Sequence, residues 1–289
     1  MPEPLARTSP TPAHDRFAPL DGSNGSARVF GPSPAAERDD PGVRSVVRAL
    51  DLLTFFDENH RGRGVRELAR AAGLPKTTVL RLVQTLEQYG MLWTRPDGQL
   101  AVGPGLLRWA RLARDAWQLP EPAYEAMREL SAQTGETVNV FVRHGLVRVC
   151  IAQQEGSQAL RHVVRIGDEL PLWGGATGYV LLIDAQPDMI DAVARTSPQG
   201  SAFIPTLRER VHAAATAGWA ESHGEREAGA ASVAAPLLTP RGRVVAALTL
   251  AGPTSRFTPE CVARFAPAVV VTAQRISSFG LAWAGSDLA

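Results

Sequence analysis

Hydrophobic residues recur at helical spacing between Val43 and Gln88. From Val43 to Asn59, the residues Val46, Ala49, Leu50, Leu53 and Phe56 fall three and four apart, which predicts an amphipathic helix. Arg63-Gly64-Val65 reads as a very short strand and Arg66–Ala72 as a second helix. Gly73 ends that helix, supplying the left-handed conformation favoured at helix C-termini. Leu74-Pro75 opens a third helix that runs to Gln88 and stops at Gly90. Along it, Val79, Leu82, Val83 and Leu86 fall at i, i+3, i+4 and i+7 and share one face. Thr77, Arg81, Gln84 and Gln88 occupy a narrow sector opposite.

The pattern then changes to a period of two. Met91–Thr94 and Gln99–Val102 read as strands around the turn Arg95-Pro96-Asp97-Gly98, and Asp-Gly is a strong hairpin signal. Two helices joined by a tight turn and followed by a hairpin predict a winged helix-turn-helix. Gly103-Pro104 breaks the chain, and Gly105–Gln118 predicts a connecting helix. Beyond Pro120, Glu121–Thr134 is helical. Thr137–Arg143 and Leu146–Gln153 form a hairpin through His144-Gly145, and Leu160–Ile166 reads as a further strand. Thr177–Asp184 and Thr206–Ala217 are helical. Ser232–Leu238 and Val244–Ala251 form a second hairpin, and Pro259–Phe279 is a closing helix. Strand pairs interspersed with helices predict an α+β domain built on an antiparallel sheet. The expected divisions are a disordered tail at 1–42, where Pro, Gly and Ser are dense and no hydrophobic period exists; a winged domain at 43–103; a linker helix at 104–119; and a second domain at 120–284.

The chain has 289 residues, ample for two separate cores. Its formal net charge of +1 carries no hint of a polyanionic partner. Local charge is more informative. Between Val43 and Gly103, nine basic side chains stand against six acidic ones, a modest excess that suits phosphate contact. Lys76 is the single lysine. The two cysteines, Cys150 and Cys261, are far apart and form no Cys-x-x-Cys pair, so neither a disulfide framework nor a zinc site is expected. No cofactor or metal is expected. No apolar run approaches the ~18 residues a membrane span needs, and the expected compartment is the cytoplasm.

The exposed face of the third helix carries the chemistry. Arg bonds guanine in two places, Gln bonds adenine, and Thr contacts phosphate or a thymine methyl. Lys76, Thr77 and Thr78 sit in the first turn, where backbone N–H groups and the helix dipole attract phosphate. Thr85 on the same helix and Arg95 in the hairpin turn complete the expected DNA-facing set with Arg81 and Gln84. A solvated amphipathic helix in a bundle would show a similar stripe, but the helix, turn, helix and hairpin together point to double-stranded DNA.

The chain also resembles the IclR family of bacterial transcriptional regulators, from about Val43 to Trp283. Gly73-Leu74-Pro75-Lys76-Thr77-Thr78-Val79-Leu80-Arg81-Leu82-Val83-Gln84-Thr85-Leu86 is close to the family's recognition-helix pattern. Leu170-Pro171-Leu172-Trp173-Gly174-Gly175-Ala176-Thr177-Gly178 resembles its approach to an effector pocket. Ala217-Gly218-Trp219, Val233-Ala234-Ala235-Pro236, Ala247-Leu248-Thr249-Leu250-Ala251-Gly252-Pro253 and Arg256-Phe257 follow in the family's order. The resemblance implies a linker helix leading to a GAF-like effector-binding domain, homodimers or paired dimers on palindromic operators, and a small-molecule effector. Carried over by position, the effector pocket would involve Leu170, Ala176, Thr177, Ser222, Ala230, Ser232, Thr249 and Ala251, with Trp173 at its entrance. Trp173 fits an ordinary core position equally well. The family usually has His where Trp173 stands, Lys where Tyr179 stands, an acidic or other polar residue at Ser222 and Cys at Ser232. A less charged lining, and a larger or more aromatic ligand, are therefore expected.

Two other functions compete. An enzyme would be expected to show a His-Glu-x-x-His, a Gly-x-Ser-x-Gly elbow or a phosphate-cradling glycine loop, and the chain has none of these. Cys150 lies in the apolar run Val147-Arg148-Val149-Cys150-Ile151 and reads as an inert buried thiol. The other alternative is a DNA-bound scaffold whose second domain only oligomerises.

Overall fold

A computed structural model describes residues 43–160 and 164–281. The expected tail at 1–42 and residues 282–284 lie outside the described residues. The first unit comprises α1 (Arg44–Leu53), α2 (Val65–Ala72), α3 (Lys76–Gln88), β1 (Leu92–Thr94) and β2 (Leu100–Val102). Gly73 adopts φ 63° and closes α2, with the Leu74 N–H bonding the Ala69 carbonyl at 3.1 Å. Only a residue without Cβ holds that conformation cheaply. The wing turn is closed by Arg95 N–H to the Gln99 carbonyl at 2.8 Å, while the Asp97 carboxylate accepts from Gln99 N–H at 3.0 Å. Leu52, Phe55, Leu68, Val79, Val83, Leu86, Leu92 and Leu100 form the shared core.

Two expectations for this unit are corrected. The first helix stops at Leu53, where the Thr54 hydroxyl bonds the Asp51 carbonyl at 2.7 Å, instead of continuing to Asn59. Its core side is centred on Leu52, fully buried, whereas Val46 and Leu50 are 53% and 51% exposed. The helix carries apolar residues on two sides, and this fold covers only one. Arg63 does not start a strand of three residues. It makes a single bridge to Leu100, and α2 begins at Val65.

The connecting helix α4 (Gly105–Ala116) buries none of its residues. The second unit comprises α5 (Glu121–Thr134), β3 (Thr137–His144), β4 (Val147–Gln154), β5 (Glu169–Pro171), α6 (Ala176–Leu181), α7 (Pro187–Arg195), α8 (Ile204–Ala217), β6 (Ala220–His223), β7 (Ala230–Leu238), β8 (Val244–Pro253) and α9 (Pro259–Ser278). The six strands form one antiparallel sheet in the order β5-β4-β3-β8-β7-β6. Alternation divides their side chains between two faces. Val138, Val140, Leu248, Leu250 and Val233 pack under α5 and α9. Phe141, Cys150, Ala234 and Ala247 face α6, α7 and α8.

The expected α+β architecture is therefore present, with three local differences. The described residues of Leu160–Ile166 (Leu160 and Val164–Ile166) form no strand, and the edge strand is instead Glu169–Pro171. The Asp168 carboxylate accepts from the Arg165 N–H at 2.7 Å, and Gly167 N–H bonds the Cys150 carbonyl at 2.8 Å, so this segment turns back instead of extending. The short strand β6 and helix α7 are additional elements. Glu136 and Arg256 pin the ends of β3 and β8 together. Glu136 is buried and accepts from both Arg256 Nε and Nη2, the latter at 2.8 Å.

Candidate functional site

Packing of the winged unit determines what α3 presents. Val79, Val83 and Leu86 are anchored in the core, so the opposite sector must face outward. Lys76, Thr77, Arg81, Gln84 and Thr85 are exposed, as is Gln88. Thr78 is half-buried. The Thr85 hydroxyl bonds the Arg81 carbonyl at 3.1 Å. Glu87 accepts from the Thr94 hydroxyl at 2.6 Å, linking α3 to the wing. Arg95 sits in the wing turn, partly exposed, with Asp97 3.7 Å away. The first turn of α3 contains no acidic residue, so its free N–H groups and Lys76 present an uncontested positive end.

In the second unit, side chains from the sheet and the helical layer converge on an open cleft of about 450 Å³, counting the solvent at its mouth. Asn139 and Phe141 of β3 share a face by the strand period, and Thr249 lies directly across from Asn139 in the register. Ser232 lies across from Ala251 and Ser222. Thr177 projects from the first turn of α6, and its hydroxyl lies 2.9 Å from that of Thr249. Arg148 reaches in from β4, and the loop after β6 contributes Glu225, Arg226 and Glu227.

The cleft's charges are unevenly satisfied. Glu225 is well held. Its Oε2 accepts from Gly175 N–H at 3.1 Å, from the Ser222 hydroxyl at 3.0 Å and from the Tyr179 hydroxyl, and Arg210 lies 4.0 Å from Oε1. Burial, with the bond to Glu225 adding, raises the Tyr179 phenol above its ordinary value. Arg148 is different. It is 5% exposed, donates Nη1 to the Gly174 carbonyl at 2.9 Å and stacks over Phe141 at 5.5 Å. Its Nε has no partner. Burial first, then repulsion from Arg226, pushes its pKa down to about 9, so it remains a cation at neutral pH. Asn139 is fully buried, and neither atom of its amide has a partner.

Of the residues expected to contact an effector, Leu170, Thr177, Ser222, Ala230, Ser232, Thr249 and Ala251 line this cleft. Trp173 and Ala176 do not. Trp173 packs edge-on against Phe203, with ring centroids 6.4 Å apart, in the apolar layer beneath the helices. Ala176 is fully buried in the same layer. The expectation of a weakly charged lining is also corrected, because Arg148, Glu225, Arg226 and Glu227 all contribute. Arg148 had a visible signal, a charge inside an apolar strand run. Glu225 had none, since it lies on a loop whose path depends on packing.

Comparison with known proteins accounts for both units. The family description "IclR helix-turn-helix domain" matches residues 45–96, and "Bacterial transcriptional regulator IclR C-terminal" matches residues 115–278. The chain is 30% identical to the HTH-type transcriptional regulator XynR of Escherichia coli (strain K12) over 233 residues, which cover 78% of this chain and 92% of the relative. It is 28% identical to the HTH-type transcriptional repressor AllR of Klebsiella pneumoniae over 257 residues, 85% of this chain and 92% of the relative. A solved structure of an IclR-family regulator from Rhodococcus sp. shares 46% identity and a TM-score of 0.57, covering 85% of this chain and 96% of its own. With both of its units matched in order, the chain belongs to the IclR family of bacterial transcriptional regulators.

Proposed function

We propose that this protein binds a palindromic operator as a homodimer or a pair of dimers, and that a small molecule in the cleft of the second unit sets its affinity. The observation that carries this reading is the pairing, in one chain, of an outward polar face on α3 with a cleft walled by buried polar groups that lack partners. The first suits base edges and phosphates. The second suits a ligand that supplies the missing hydrogen bonds. Arg81 and Gln84 are the base-reading residues of this proposal, Lys76 and the wing Arg95 its phosphate contacts.

Dimerisation is supported by uncovered apolar surface next to the reading head. Val43 just before α1 and Val46 and Leu50 on it are exposed, and so are Leu107, Trp109 and Leu112 on α4, Leu107 by 73%. A second copy of the chain would cover them and would place two α3 helices in successive major grooves, roughly 34 Å apart. The effector then acts through α4 by its difference in affinity for two relative poses of the heads. The reading is of a cytoplasmic regulator and not a catalyst.

Selection of genomic fragments by the purified full chain, followed by gel-shift titration with and without metabolites, tests this. Enrichment of inverted repeats, with affinity altered by a metabolite, is expected. Equal affinity for operator-like and scrambled duplexes would overturn the DNA-reading assignment.

A further inference from the structure

Glu58 and Arg165 form a side-chain ion pair across the boundary between the two units, 107 residues apart in the chain. Among the described residues, the core of the winged unit draws on no residue of the second unit, and neither core of the second unit draws on the winged unit. The connecting helix α4 buries none of its residues. Without a shared core, the relative pose of two units is governed by the connection and by surface contacts of this kind.

Both ends of the pair stand on closed turns. Glu58 lies in the turn after α1, where the Asp57 carboxylate accepts from the Asn59 and His60 N–H groups at 2.9 and 2.8 Å. Just beyond it, Arg63 donates to the Phe55 carbonyl at 2.8 Å, and Phe55 belongs to the core that anchors α3. Arg165 opens the other turn. Its N–H donates to the Asp168 carboxylate at 2.7 Å, and its carbonyl accepts from the Asp168 N–H at 3.0 Å. That turn is fastened to β4 through Cys150, whose carbonyl accepts from Gly167 N–H at 2.8 Å and whose N–H donates to the Asp168 carbonyl at 3.0 Å. Val164 before the turn and Leu170 after it both line the cleft. A shift of that wall carries Arg165 with it, and Glu58 is tied to the core under α3.

We propose that the Glu58–Arg165 pair is a latch between the cleft and the reading head: it holds the winged unit in one pose, and displacement of the cleft wall at Val164 and Leu170 by a ligand opens it. The proposal rests on the reading of this cleft as the sensor site, and it adds to α4 a second route from the cleft to α3. The strength of the pair suits a switch. Arg165 and Glu58 are 64% and 55% exposed, so the pair is screened by salt and biases two poses by about fivefold at most. A modest difference in a ligand's affinity for the two poses overrides a bias of that size.

Hydrogen exchange of the full chain, without DNA or metabolite, reads the latch. Arg165→Gln is expected to raise amide exchange in residues 54–62 of the winged unit by about two- to fivefold, and Glu58→Gln to raise it in residues 164–170 of the second unit, with β3 and β8 unaltered. The charge swap, Glu58→Arg with Arg165→Glu, rebuilds the pair and should return both segments to parent exchange. Raising salt toward 1 M should reproduce the effect of the single variants in the parent and add little in the variants, as screening requires. Val164→Ala loosens the cleft wall. It should raise exchange in residues 54–62 of the parent but not in an Arg165→Gln background, where the latch is already open. Changes confined to the substituted unit, with the swap no better than the single variants, would overturn the latch and leave the sensor reading intact. Val164→Ala acting equally in both backgrounds would overturn the connection to the cleft. Failure of the sensor reading is recognised separately, by operator affinity that no metabolite alters, because the exchange experiment contains no ligand.

Discussion

The hydroxyls of Thr177 and Thr249 lie 2.9 Å apart, joining the first turn of α6 to the middle of β8 across the cleft. Both residues are buried. Replacing either by Val leaves the other hydroxyl buried and unpaired, a cost of about 1–3 kcal/mol. The double replacement removes both groups together and should cost less than the sum of the single ones. Urea denaturation of the four proteins measures this. Strict additivity would show that the pair is not coupled.

Gly178 tests how closely α6 approaches the segment before it. A Cβ on this residue would stand 2.0 Å from the Leu172 carbonyl oxygen. That oxygen belongs to the backbone and has no rotamer by which to move aside. Gly178→Ala should therefore destabilise the second unit by about 1–3 kcal/mol or more, seen as a lowered denaturation midpoint. An unchanged midpoint would mean that α6 shifts freely, and the cleft with it.

Alkaline pH should weaken the fold in a defined window. Burial, with Asp168 adding to it, pushes the Cys150 thiol from 9.0 up to about 12. Tyr179 is shifted in the same direction. Above pH 9 the unfolded chain loses the thiol proton while the folded chain keeps it. The stabilisation is complete below about pH 9 and is lost as pH rises through about 12, at up to about 1.4 kcal/mol per pH unit for one group. Chemical denaturation at pH 8.5, 9.5 and 10.5 should show this decline, with a shallower slope in Cys150→Ala. At pH 8, Cys150 should react with a thiol reagent only on unfolding.

At the DNA surface, Arg81 and Lys76 should behave differently. Arg81→Ala should cost about 1–3 kcal/mol of operator binding and relax preference at one base position. Lys76→Ala should weaken binding to all sequences alike and flatten the salt dependence. Binding of a randomised duplex library, read at two salt concentrations, separates the two. A sequence-selective loss in Lys76→Ala would reverse its assignment.

The α1–α4 surface predicts self-association. Leu107→Glu places a charge on an exposed apolar position and should shift the protein toward monomer in sedimentation velocity, without lowering its melting temperature below that of the parent monomer. An unaltered sedimentation coefficient would exclude α4 from the interface.

The winged unit and the three hairpins could be read along the chain because their signals are local. The stripe Val79, Leu82, Val83, Leu86 orients α3, Gly73 ends α2, and Asp97-Gly98 closes the wing, each through neighbours a few residues away. The same holds for the hairpin from Thr137 to Gln154. The cleft was legible where motif positions pointed to it, at Thr177, Ser222, Ser232 and Thr249. Its electrostatics were not. Asn139, Arg148 and Glu225 come from β3, β4 and the loop after β6, and whether their polar groups are paired depends on how these segments fold together. Trp173 was ambiguous for the same reason, until its contact with Phe203 placed it in the apolar layer. Val46 and Leu50 followed a helical period that was genuine, yet periodicity does not say which of two apolar sides of a helix meets a core. That choice rests on the long-range packing of Leu52 and Phe55 against α2, α3 and the wing, and it leaves Val46 and Leu50 on the other side of α1 exposed.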